Sequence, residues 1–243
     1  MNRLRRDHKP YALKRILNFF ERTWVERFIR PQLDYLGAGG MIMKPWHFKL
    51  FGDGIRLGEA VHVVTSRDRT VRLTTWAHEH GSGEIDVGDY ALLCPGVRID
   101  SATSIKIGKS TMLAAGVYVT DADWHGIYDR TRPIGTTRAV ILEENVWIGD
   151  GCIVCKGVTI GANTVVGAGS VVTKSLPANV IAAGNPAAVI KQLDGSQPLV
   201  KREDLLAEHE KLNSEVTLLD QALRKNNSWL KWLRTVLAPR PDE

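Results

Sequence analysis

Residues 142–176 read LEENVWIGDGCIVCKGVTIGANTVVGAGSVVTKSL, and their spacing decides the fold. An aliphatic side chain recurs at Leu142, Ile148, Val154, Ile160, Val166 and Val172, a strict period of six. Four residues after each comes Val146, Cys152, Val158, Thr164, Ser170 or Leu176, mostly small or β-branched. A helix repeats at about 3.6 residues and a half-buried strand at about 2, so neither produces this pattern. A solenoid of short, flat segments does, with each sixth side chain turned into a continuous core. Gly151, Gly157 and Asn163 fall where the chain must turn a corner, and these residue types tolerate positive φ.

Outward from this stretch the same period weakens but persists. It is visible at Leu57-Gly58 and Val61, at Val87-Gly88, Leu93 and Ile99, and at Ile107-Gly108, Leu113 and Val119. Slips of phase near 64–84 and 100–106 predict small insertions at corners. The long break is residues 120–139, which contain Asp121-Ala122-Asp123-Trp124-His125. A loop thrown out of a regular solenoid usually carries function.

Three segments motivate a family comparison: Asn145-Val146-Trp147-Ile148-Gly149, Gly167-Ala168-Gly169-Ser170-Val171-Val172-Thr173-Lys174, and Ala183-Gly184-Asn185-Pro186-Ala187. Together they resemble the closing coils of the hexapeptide-repeat acyltransferases, in particular the galactoside and maltose sugar O-acetyltransferases. The resemblance spans about Ile55 to Lys191. It implies a mainly β chain folded as a left-handed parallel β-helix, acting as a homotrimer with acetyl-CoA as acyl donor.

It also implies roles. His125 is the residue that matches the family's general base, and Asp121 and Asp123 are candidates to orient its ring. The chemistry agrees, because acyl transfer to a hydroxyl or amine needs a base of near-neutral pKa. The resemblance points to Trp147, Ala168, Gly169, Lys174 and Lys191 for CoA, the two lysines as point charges for its phosphates. Many relatives carry an arginine two residues after the closing proline, where this chain has Ala188. The acceptor region reads Leu93-Cys94-Pro95-Gly96 and Ser101-Ala102 rather than the Asn and Asp pattern of the simple-sugar enzymes, which favours a surface-glycan precursor as acceptor.

The chain has 243 residues, with 44% hydrophobic and 24% charged residues and a formal net charge of +5. Residues 1–30 hold nine Lys/Arg against three acids, so the basicity belongs to one arm and the body does not read as a nucleic-acid binder. Three cysteines make no disulfide framework. Cys152 and Cys155 form a lone C-x-x-C without a second ligand pair, and Cys152 occupies a core position of its repeat; no metal is expected. The arm lacks the apolar run of a signal peptide, and no span of about 20 apolar residues is present. A cytoplasmic protein is expected, its basic arm either packed on the base of the β-helix or resting at the inner face of the membrane.

The reading divides the chain into a basic amphipathic arm at 1–36, a β-helix at 37–193 with its catalytic loop at 120–139, and a helical tail at 199–239. In the arm, Leu13, Ile16, Leu17, Phe20, Trp24 and Phe28 share a helical face, closed by Pro31. Gly37–Asp53, with Pro45-Trp46-His47-Phe48, is expected to cap the first coil. In the tail, Leu205, His209, Leu212, Val216, Leu219 and Leu223 alternate at coiled-coil spacing, suited either to a three-stranded bundle or to a helix folded back on its own β-helix. Asn226-Asn227-Ser228 breaks it, with Ser228 capping a second helix closed by Pro239. Two other functions suit such a solenoid. A catalytically silent scaffold would need none of these side chains. A γ-class carbonic anhydrase would need further histidines after His125 in the repeats, and there are none.

Overall fold

The computed structural model describes residues 8–79, 81–206 and 209–238, except the side chains of 209–213. His80, Pro239 and the side chains of His209 and Leu212 therefore lie outside the described residues. The chain forms two compact units, one of residues 24–207 and one of residues 1–23 with 208–243.

The larger unit is a solenoid with three faces of parallel strands. The first face stacks Tyr35–Leu36, Ile55–Leu57, Ile85–Val87, Ile105–Ile107, Val140–Leu142 and Thr159–Ile160. The second runs from Met41–Met43 through His62–Val64, Leu92–Leu93, Met112–Leu113, Trp147–Ile148 and Val165–Val166 to Val180–Gly184, and Ala187–Gln192 returns antiparallel on its edge. The third comprises Phe48–Phe51, Val71–Thr75, Arg98–Ser101, Tyr118–Thr120, Ile153–Val154 and Val171–Val172.

Register explains the sequence period. Val63, Leu93, Leu113, Ile148, Val166 and Ala182 are aligned partners on the second face, and none is more than marginally exposed. Leu73, Ile99, Val119, Val154 and Val172 form the matching column on the third. Each coil thus adds one aliphatic to each column, and burying each such side chain stabilises the fold by about 1.5–3 kcal/mol. Cys152, Val158, Thr164 and Ser170 fill the corners behind them, at 0–1% exposure.

The corners are as regular as the core. Where the first face turns into the second, one residue per coil takes positive φ: Ala60, Tyr90, Ser110, Asn145, Asn163 and Asn179. The three asparagines form a ladder, Asn145 Nδ2 donating to Asn163 Oδ1 at 3.0 Å and Asn163 Nδ2 to Asn179 Oδ1 at 2.8 Å. Between the second and third faces Gly96, Gly116, Gly151 and Gly169 take this conformation, leaving a corner of bare backbone.

One expectation is corrected. Gly37–Asp53 does not cap the solenoid; residues 35–51 are its first coil, hidden from the hexapeptide pattern by the irregular Pro45–His47 turn. The plug is the end of the arm, where Val25–Ile29 and Arg30–Gln32 wind as π-type and 3-10 turns and Ile29 enters the core at 2% exposure.

The first residues of the tail lie on the solenoid. Residues 201–206 run back along the corner between the first and second faces: Lys201 Nζ donates to Glu144 Oε1 at 2.6 Å, Glu203 pairs with Lys109 and its backbone N–H donates to Ser110 Oγ at 3.2 Å, and Arg202 Nε donates to the Tyr90 carbonyl at 2.8 Å. Leu206 is buried at the end of this strap.

The described residues do not confirm the coiled-coil reading of the tail. In the smaller unit, helix His209–Arg224 meets helix Tyr11–Trp24 through polar groups: Lys14 with Asp220, and Gln221 Nε2 donating to Tyr11 Oη at 3.1 Å. Val216, Leu219 and Leu223 stay exposed. The expected break does occur, and Ser228 Oγ accepts from the Lys231 N–H at 3.3 Å at the start of helix Trp229–Leu237.

Candidate active site

The break at 120–139 leaves the solenoid at the corner between the third and first faces, after Tyr118–Thr120 and before Val140–Leu142. It is a hairpin rather than a floppy excursion. The Asp123 N–H donates to the Thr136 carbonyl at 3.0 Å, the Gly135 N–H to the Asp123 carbonyl at 2.7 Å, and Ala122 bridges Thr137 antiparallel. Gly135 is required on steric grounds, because a Cβ there would lie 2.5 Å from the His125 carbonyl oxygen. Asp129 Oδ1 holds the tip by accepting from the N–H and hydroxyl of Thr131.

His125 stands on the outgoing arm of this hairpin and is exposed. Beside it Trp124 anchors the loop inward, its indole N–H reaching Tyr118 Oη and Thr120 Oγ1, both at 3.1 Å. The two acids differ in their surroundings. Asp121 is fully buried with both oxygens committed to the preceding coil: Oδ2 accepts from Ser101 Oγ at 2.7 Å and the Thr103 N–H at 2.9 Å, and Oδ1 from the Ala102 N–H at 2.7 Å. Asp123 Oδ1 accepts from Lys156 Nζ at 2.6 Å, while its Oδ2 is buried without a hydrogen-bond partner. Lys156 is a residue that the sequence reading passed over. Its only trace in the sequence is a cation at the same corner one coil later.

The five residues assigned to the donor fall into two groups. Trp147 and Lys191 lie in one transverse row of the second face, through Val165 and Ile181, so three strand spacings of about 4.8 Å separate them. Trp147 is 48% exposed. Ala168 and Gly169 lie at the glycine corner on the far edge of that face, also exposed. Lys174 follows Val171–Val172 and so stands at the corner that carries the His125 hairpin, with Lys156 on the coil between. One chain therefore presents the His125 hairpin and Lys174 on one side and Trp147, Ala168, Gly169 and Lys191 on another.

The remaining candidates are quiet. Burial pushes the thiols of Cys94, Cys152 and Cys155 up from their ordinary values, away from reactivity. Cys152 Sγ donates to the Gly167 carbonyl at 3.0 Å. Among the described residues no three His, Cys, Asp or Glu side chains converge as metal ligands.

Comparison with known proteins agrees with this architecture. Residues 139–174 match the bacterial transferase hexapeptide family (six repeats). The galactoside O-acetyltransferase of Lactococcus lactis is 30% identical over 173 residues, covering 69% of this chain and 67% of that one. WbbJ of Escherichia coli, provisionally named a lipopolysaccharide biosynthesis O-acetyl transferase, is 35% identical over 122 residues, 46% of this chain and 59% of that protein. Among solved structures, a variant of AntD, an N-acyltransferase from Bacillus cereus determined with dTDP-4-amino-4,6-dideoxyglucose and coenzyme A, superposes with a TM-score of 0.57 at 22% identity, over 78% of this chain and 96% of that one. The fold and these matches define a hexapeptide-repeat transferase. The chain belongs to the family of the galactoside O-acetyltransferases.

Proposed function

We propose that the protein transfers an acetyl group from acetyl-CoA to a sugar hydroxyl of a surface-glycan precursor, with His125 as general base. The observation that carries this is the placement of His125: the one histidine of the extruded loop stands on a braced hairpin, with its ring in solvent where an acceptor can reach it. In the reaction its neutral nitrogen takes the acceptor hydroxyl proton as the oxygen attacks the thioester carbonyl, and returns it as the thiol of CoA leaves. Asp123 is favoured over Asp121 as the orienting acid, since it alone keeps an uncommitted oxygen. The O-acetyltransferase relatives support the reaction, and the name of WbbJ supports the glycan class.

Trp147, Ala168, Gly169 and Lys191 hold CoA along one side of the coil, with Lys174 at the hairpin corner. These two groups form one cleft only if a neighbouring protomer faces the first group with its hairpin. That geometry favours the homotrimer the family resemblance implies, with a solenoid wound left-handed. The experiment is release of free CoA thiol from acetyl-CoA with a panel of galactosides and glycan precursors. Wild-type protein should turn over one acceptor class, and His125→Ala should fold normally, bind CoA, and lose about 10²–10⁴ of the turnover. Near wild-type turnover by the variant would overturn the assignment of the base.

A further inference from the structure

The smaller unit carries an amphipathic helix whose apolar face its own fold leaves open. Helix Tyr11–Trp24 meets helix His209–Arg224 through Tyr11 and Lys14, which bond Gln221 and Asp220. At about 100° per residue this side lies opposite Leu13, Ile16 and Phe20. The inward side of the helix is therefore its polar one. Phe19 and Phe20 are 66% and 59% exposed, and Ile16 and Leu17 are 46% and 41%. Arg15 and Arg22 lie together along one border of this stripe and are exposed. A second helix of the same unit repeats the pattern: Trp229, Leu230, Leu233, Val236 and Leu237 share an exposed face of helix Trp229–Leu237, with Lys231 on the opposite side.

Charge selects the occupant. Residues 1–23 with 208–243 hold thirteen Lys/Arg against eight Asp/Glu, and the remaining 184 residues hold equal numbers of each. The whole net charge of +5 therefore belongs to the unit with the open apolar faces. A second copy placed on this stripe would set Arg15 and Arg22 against their like. An anionic bilayer surface accepts both features, since apolar side chains enter the acyl boundary while the flanking cations meet lipid phosphates. No helix among the described residues is long and apolar enough to cross a membrane, so the contact is one of lying on the surface.

We propose that helix Tyr11–Trp24 docks the protein on an anionic lipid surface through Ile16, Leu17, Phe19 and Phe20, with Arg15 and Arg22 supplying the charge selectivity. This is independent of the acetyl-transfer reading.

The test is flotation of the full chain with vesicles of phosphatidylcholine mixed with phosphatidylglycerol, and with vesicles of phosphatidylcholine alone. The protein should float with the mixed vesicles only, and rising salt should release it. Arg15→Glu with Arg22→Glu should weaken binding about tenfold or more. Phe19→Asp with Phe20→Asp should weaken it at least as much, by removing the inserted area. An unchanged thermal transition in both variants keeps the comparison to the surface. Three results would each overturn the proposal: no flotation with either vesicle, equal flotation of wild type and both variants, or light scattering in which Phe19→Asp/Phe20→Asp dissociates a lipid-free assembly.

Discussion

Lys156 Nζ donates to Asp123 Oδ1 across 2.6 Å, joining the outgoing arm of the His125 hairpin to the next coil of the solenoid. The two side chains are 25% and 29% exposed, so the pair is partly screened and adds only modestly to stability. Its effect is to hold the backbone two residues before His125 at a fixed height above the corner.

Lys156→Met should therefore lower the stability of the solenoid by no more than about 1 kcal/mol. Turnover should fall about tenfold or more, since small displacements of a catalytic group have large effects on rate. Comparing the thermal transition with kcat checks this, and equal proportional losses in Asp123→Asn would place both residues in one unit.

If Lys174 and Lys191 meet the phosphates of CoA, as proposed, they bind ground and transition states alike. Lys174→Ala and Lys191→Ala should raise the KM for acetyl-CoA more than they lower kcat. Dephospho-CoA competition with acetyl-CoA separates the two lysines: the one whose loss equalises CoA and dephospho-CoA affinity meets the 3′-phosphate.

The strap at 201–206 is sensitive to pH through His62. Arg202 Nη2 approaches His62 Nδ1 at 3.3 Å, so the neutral imidazole accepts this bond. Burial lowers the His62 pKa, and the adjacent Arg202 guanidinium lowers it further. The folded protein thus binds this proton less readily than the unfolded chain, and stability should rise with pH across this interval. The contribution is complete above the ordinary imidazole value of 6.5 and is lost as pH falls below it toward the folded pKa. His62→Gln, which keeps an acceptor, should flatten this part of the pH–stability curve, read by thermal melting between pH 5 and 8, roughly the range a histidine can titrate in.

Truncation separates strap from tail. Removing everything after Ala207 keeps Arg202 and Leu206 on the solenoid and deletes only the C-terminal part of the smaller unit. Val216, Leu219 and Leu223 are exposed in the single chain. If they form the trimer bundle, this truncation should lower the assembled mass in light scattering and activity with it. An unchanged, equally active trimer would assign assembly to the solenoid alone.

The most regular coils were legible in the sequence because each core column repeats at a single fixed interval. Leu142, Ile148, Val154, Ile160, Val166 and Val172 are all at 0–1% exposure as the period requires. The hairpin of His125 was legible as the place where that period stops. Less regular parts were not. The first coil, residues 35–51, lacks the repeat because Pro45–His47 replaces a flat corner with a 3-10 turn.

Sequence by itself determined the solenoid, its extruded loop and the histidine within it, since these follow from local periodicity and its interruption. Only the tertiary structure decided which groups meet. Asp121 and Asp123 are equivalent as letters, yet one is saturated by the coil before it and the other is bound to Lys156 on the coil after it. The strap that carries Arg202 to the Tyr90 carbonyl joins residues 112 positions apart, and no repeat encodes that pairing. Heptad spacing in the tail left its partner open, because an apolar stripe states that a face must be covered and not what covers it. The fold then paired these helices through Lys14 and Asp220, polar side inward, and left the stripes outside.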